Sequence, residues 1–118
     1  MPDAISPPPS LLILCRDLLL GSKITAAAQS AGVSFKVIRD AGKLAGQVGR
    51  RLIVDLNQDG AIDAAAAWKS ETGDVGDVVG FVSHVDAATI QRAREAGLDQ
   101  VMARSSFVQQ LPRLMRSR

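Results

Sequence analysis

At 118 residues, with 47% hydrophobic and 22% charged side chains, the chain suits one domain with a buried core, and its composition excludes a disordered or fibrous protein. Aromatics make up only 3%, so the core is aliphatic and the stacking platforms of single-stranded nucleic-acid binders are scarce. The formal net charge is +2, Cys15 is the single cysteine, and no stretch approaches the roughly 20 apolar residues of a membrane span, which excludes an intrachain disulfide and points to a reducing, cytoplasmic setting.

Pro7, Pro8 and Pro9 keep residues 1–10 out of a sheet ladder, so this segment reads as a leader, strapped down or loose. Leu11–Cys15 is a continuous apolar run, the mark of a strand buried on both faces. As a lipoprotein signal it fails: Asp3 precedes it, no cation does, and bulky residues stand where small ones are needed. Ser22 is the expected N-cap of a helix through Ile24, Ala27 and Ala28 to Ala31, stopped by Gly32. Phe35–Arg39 is rich in β-formers and reads as the second strand.

Gly42, Gly46 and Gly49 leave any helix over 41–49 short and soft. They do not form a phosphate loop, since no Gly-Lys-Ser/Thr follows. Leu52–Leu56 is the third strand, and the alanine run from Ala64 to Trp68 a helix that Gly73 and Gly76 break. Trp68 is expected in the core or at an interface. Val78–Val82 is the fourth strand, and Asp86 the cap of a helix over Ala87–Ala96, closed by Gly97, with Ile90 and Ala93 inward. After a short fifth strand, Val101–Ala103, Phe107, Val108, Leu111, Leu114 and Met115 recur at helical spacing, with Pro112 in the first turn or at a kink.

Strand and helix alternate about five times, which predicts an α/β fold: a five-stranded parallel sheet in a (βα)5, flavodoxin-like, three-layer sandwich. In such sheets reactive groups collect at the carboxyl ends of the strands, here Cys15–Asp17, Asp55–Asn57, Ser83–His84 and Arg104. His84 beside Ser83 suggests a catalytic pair, but neighbours on a strand point to opposite faces and cannot readily share a proton. With no histidine placed to activate it, Cys15 reads as a small buried hydrophobe. No catalytic residue is assigned, and the chain is not expected to be an enzyme.

Asp55, Asn57, Asp59, Gly60, Ile62 and Asp63 follow the order of a calcium loop, with Asp55, Asn57, Asp59 and Asp63 as its ligands. The closing bidentate acid is missing, since that position holds Ala66, and the preferred reading is a turn-rich connection into the next helix. Arg50–Arg51 and the tail cations Arg113, Arg116 and Arg118 read as solvated ends, so nucleic-acid binding is not expected.

Leu-Leu-Ile-Leu-Cys-Arg-Asp (11–17), Leu-Ile-Val-Asp-Leu (52–56), Val-Gly-Phe-Val-Ser (79–83) and the stretch from Ala93 through Gly97, Asp99 and Arg104 to Phe107 resemble, in order and spacing, a response-regulator receiver (CheY-like) domain. The resemblance spans residues 11–118. It implies that Asp55 takes the phosphoacceptor position, Ser83 the hydroxyl position and Arg104 the place of the lysine, with Ser105 where proline is usual. Cys15 and Arg16 fall on the pair of acids that holds Mg²⁺ in receivers, with Asp17 one place late.

A thiol is a soft ligand and a guanidinium repels a cation, whereas Mg²⁺ demands hard oxygens in octahedral geometry. Arg16 could pair with Asp55 instead. A one-residue shift in register would bring Asp17 into the pocket. The expectation is a degenerate pseudo-receiver: a non-catalytic signalling module without Mg²⁺-dependent aspartyl phosphate or any cofactor. It would contact protein partners, or a second copy, through residues 86–118. The alternatives are a phosphorylatable receiver using Asp55 and Mg²⁺, the calcium loop, and a nucleic-acid-associated regulator.

Overall fold

A computed structural model describes residues 9–83 and 86–116. Residues 1–8 of the segment expected as a leader, His84 and Arg118 lie outside the described residues. The elements are β1 (Leu11–Leu14), α1 (Leu18–Ser30), β2 (Phe35–Ile38), a 3-10 turn (Ala41–Lys43), β3 (Arg51–Asp55) and α2 (Ala61–Thr72). A second 3-10 turn (Gly73–Val75), β4 (Asp77–Val82), α3 (Ala87–Glu95), β5 (Gln100–Ala103) and α4 (Arg104–Arg116) complete the chain. The five strands form one parallel sheet in the order β2-β1-β3-β4-β5.

The strands are apolar runs because both faces of the sheet are covered. Leu12, Leu14, Leu52, Val54, Val78 and Val82 face α2 and α3, where Ile62, Ala65, Trp68 and Ala93 are buried. Leu11, Ile13, Cys15, Ile53, Val79 and Phe81 face α1 and α4 and meet Leu20, Ile24, Phe107 and Leu111. Phe81 and Phe107 stack with ring centroids 4.5 Å apart, fixing α4 to the sheet. Trp68 is a core residue, and its indole N–H donates to Gln47 O at 2.9 Å. The expected three-layer α/β sandwich is therefore present, with four α-helices among the described residues: the glycine-rich crossover between β2 and β3 makes only a 3-10 turn in place of a fifth.

Two local expectations are corrected, and for Pro112 the first-turn alternative falls away. Ser22 does not start α1. Asp17 does, because its carboxylate reaches two amide N–H groups of the first turn, while the Ser22 hydroxyl bonds back to Leu18 O at 2.9 Å. The second helix begins at Ala61, three residues early, since Gly60 at φ 76° turns the chain directly into it. Pro112 sits deep inside α4 rather than in its first turn; its exposed ring replaces an N–H that would have bonded Val108 O. Asp86 caps α3 as expected, accepting from Ala88 N at 3.0 Å and Thr89 Oγ1 at 2.8 Å.

Candidate functional site

The carboxyl edge of the sheet gathers Cys15 after β1, Asp55 at the end of β3, Ser83 after β4 and Arg104 at the start of α4. Asp17 joins them. Its Oδ1 accepts from Leu19 N at 3.0 Å and Leu20 N at 3.1 Å, capping α1, while its Oδ2 accepts from Arg104 Nη1 at 3.2 Å. Both carboxylate oxygens are therefore engaged by donors. These bonds, the one from Leu20 N above all, hold the Asp17 carboxyl below its ordinary range, with the Arg104 charge adding to them.

Cys15 is buried, and its thiol donates to Asp17 O at 3.6 Å. Burial pushes the thiol pKa up; the bond to Asp17 O opposes this, the negative charges of Asp55 and Asp17 add to the rise, and the Arg104 charge lowers it least, so the pKa is raised. The group is a neutral, inert thiol near neutral pH, as its sequence context implied. Asp55, Asp17 and Arg104 thus each lie within electrostatic reach of the Cys15 thiol.

Arg16 is not among them. It is exposed, and no hydrogen bond or ion pair joins it to Asp55, so the pairing suggested by sequence order does not form. The chain leaves β1 between two buried positions and the cap Asp17, and that course turns Arg16 to solvent. The cation that reaches this edge comes instead from Arg104, eighty-seven residues along the chain from Asp17.

The β3–α2 loop is held by its own polar groups. Asp55 Oδ1 accepts from Asn57 N at 3.0 Å, and Asn57 Oδ1 accepts from Ser83 N at 2.6 Å, tying the ends of β3 and β4 together. Asp59 and Asp63 are exposed, and Arg92 shares their polar cleft of about 220 Å³. Among the described residues no three His, Cys, Asp or Glu side chains converge as a metal site requires. Within the calcium-loop set Asp55, Asn57, Asp59 and Asp63, Asn57 Oδ1 accepts from Ser83 N, and Arg92 lines the cleft beside Asp59 and Asp63. Ser83 and Arg104 also line an open cleft of about 530 Å³ with Val82, Ala103, Ser105 and Val108.

No known protein family and no curated protein sequence matches the chain. Solved structures do. A CheY-like receiver domain from Methanospirillum hungatei superposes with TM-score 0.74 at 10% identity, covering 92% of this chain and 94% of that one. The fold is that of a response-regulator receiver. An orphan response regulator of H. pylori gives TM-score 0.72 at 16% identity over 93% of this chain and all of its own, 100%. An atypical orphan response regulator, described as having a phosphorylation-independent regulatory mechanism, gives 0.70 at 15% identity over 90% of this chain and 94% of that one.

Sequence order did not reveal the Asp17–Arg104 bridge. The one signal for it was Asp17 lying a single place beyond the expected acids. Nor did it show the fate of Arg51, read as a solvated cation. Arg51 is buried, with Nε and Nη2 on the two oxygens of Asp77, each at 2.8 Å, and Nη1 on Leu114 O at 2.6 Å.

Proposed function

We propose that this chain is a receiver-fold signalling module that works by protein contact and not by Mg²⁺-dependent phosphorylation of Asp55. The observation that carries the reading is the double engagement of Asp17 by the amides of α1 and by Arg104. The acids that would hold Mg²⁺ are replaced by a neutral thiol and an exposed arginine. The one nearby carboxylate besides Asp55 is already neutralised by a guanidinium. Such a donor set does not fit a small, hard cation that keeps octahedral geometry and its own waters. Without a divalent cation to offset it, charge gathers between the Asp55 carboxylate and an approaching phosphoryl group, which opposes transfer.

The bridge also fixes what a receiver would move. It ties the start of α4 to the start of α1, and the stacked Phe81 and Phe107 hold α4 on the sheet. The region α3–β5–α4, residues 86–116, then presents a constant surface, and the cleft beside Val82, Ala103 and Val108 gives it an apolar recess for a protein partner. Signalling would come from the presence of the protein, or of its partner, and not from its modification.

The test is incubation with Mg²⁺ and beryllofluoride, followed by ¹⁹F NMR. No adduct at Asp55 is expected, and the amide spectrum around residues 103–108 stays unchanged. A bound beryllofluoride signal that disappears in Asp55→Asn overturns the reading in favour of a phosphorylatable receiver.

A further inference from the structure

Away from the carboxyl edge, the two helical layers differ in sign. α1 and α4 carry Lys23, Arg113 and Arg116, besides the Arg104 that Asp17 neutralises at the carboxyl edge, and no acid at all. On the other face of the sheet, α2, α3 and the turn between α2 and β4 carry Asp63, Glu71, Asp74 and Glu95. Lys69 in that layer is neutralised by Asp99 at 3.1 Å, which leaves Arg92 and Arg94 as its cations.

Each layer also has an apolar feature beside part of its charge. Between the ends of α1 and α4 lies a cavity of about 400 Å³ lined by Ala27, Ala31, Pro112, Met115 and Arg116. On the opposite layer the 3-10 turn after α2 holds out Val75, 68% exposed, beside Asp74 and four residues beyond Glu71. Both lie toward the edge where the strands begin. Leu114 O in α4 meets Arg51 at the start of β3, and Val75 stands two residues before β4.

We propose that the α1–α4 groove is the docking site for a second copy of this chain, with Val75 of one copy seated between Ala27, Ala31, Pro112 and Met115 of the next. Asp74 and Glu71 then face Arg113 and Arg116. The knob and its acids, and the groove and its cations, are opposite faces of one molecule, so the contact is heterologous and adds copies head to tail. An apolar anchor in a recess supplies the affinity, and the surrounding charges set approach and register. The inference is independent of whether Asp55 is phosphorylated, since none of these residues touches the carboxyl edge.

Sedimentation velocity of the full chain tests it. At low salt the average sedimentation coefficient is expected to rise between about 10 μM and about 1 mM, the range of weak surface contacts, and the rise shrinks as salt screens the charges. Val75→Lys removes the knob, and Arg113→Glu with Arg116→Glu inverts the groove; each weakens association roughly tenfold or more, about 1.4 kcal/mol. All three positions are at or near the surface, and circular dichroism verifies that each variant folds. A mixture of the two variants pairs an intact groove with an intact knob and stops at a one-to-one complex that cannot grow. A monomer at every concentration overturns the proposal, as does association unaltered by both variants or a mixture that fails to pair. A monomer that instead binds duplex DNA through Arg113 and Arg116 would also overturn it, and assign the groove's cations to nucleic acid.

Discussion

Asp17 shows how one side chain can decide the chemistry around it. An aspartate in the N-cap position satisfies orphan amides of a helix start, and the same carboxylate here also receives a guanidinium. Its folded-state pKa is depressed, so it stabilises the fold above the ordinary carboxyl pKa of about 3.9 and ceases to do so as pH falls through the lower folded value. Asp17→Asn keeps an acceptor for the cap and removes the charge. The stability gap between wild type and this variant should therefore be largest near neutral pH and close on acidification below about pH 4. Urea titrations across that window measure it. A gap that widens toward low pH would mean that the Asp17 charge does not contribute in the direction given.

Among the elements, those whose fate depends on near neighbours were legible. The apolar runs at 11–15, 52–56 and 78–82 became strands within a residue of their expected bounds, and Asp86 and Gly97 bracket α3 as local chemistry dictates. What sequence could not show depends on partners far along the chain. Arg51 follows Arg50 and reads as one of an exposed pair, yet it is drawn inside by Asp77, its partner on the neighbouring strand β4. Arg104 meets Asp17 in the same way, and with it the site's charge balance was hidden.

The Arg51–Asp77 pair is bidentate and almost fully buried, and Arg51 Nη1 also donates to Leu114 O near the end of α4. Breaking a buried pair from one side strands the other charge in a region that cannot solvate it, at a cost of about 3–5 kcal/mol. Asp77→Ala should lose that much in urea denaturation, whereas Arg51→Met with Asp77→Leu recovers most of it, because neither charge is then left inside. If the double variant is no more stable than Asp77→Ala, packing around the pair, and not its charge, explains the loss.

The whole molecule is built on strands shared by two cores. β1, β3 and β4 supply side chains alternately to the α2–α3 layer and to the α1–α4 layer, so neither layer can dissolve without exposing the backs of the strands that the other needs. This predicts one cooperative transition, and the sequence provides a reporter for each side. Trp68, the single tryptophan, is buried in the α2–α3 core, and Cys15, the single cysteine, is buried against α1 and α4. Trp68 fluorescence and the accessibility of the Cys15 thiol to pulse labelling should follow the same urea curve, with the slope of about 1–3 kcal/mol/M expected of a small domain. Labelling of Cys15 at lower urea than the fluorescence change would show that α1 or α4 leaves the sheet alone. The two cores would then be separate units, and the Asp17–Arg104 bridge would hold together a layer that can open while the rest of the fold persists.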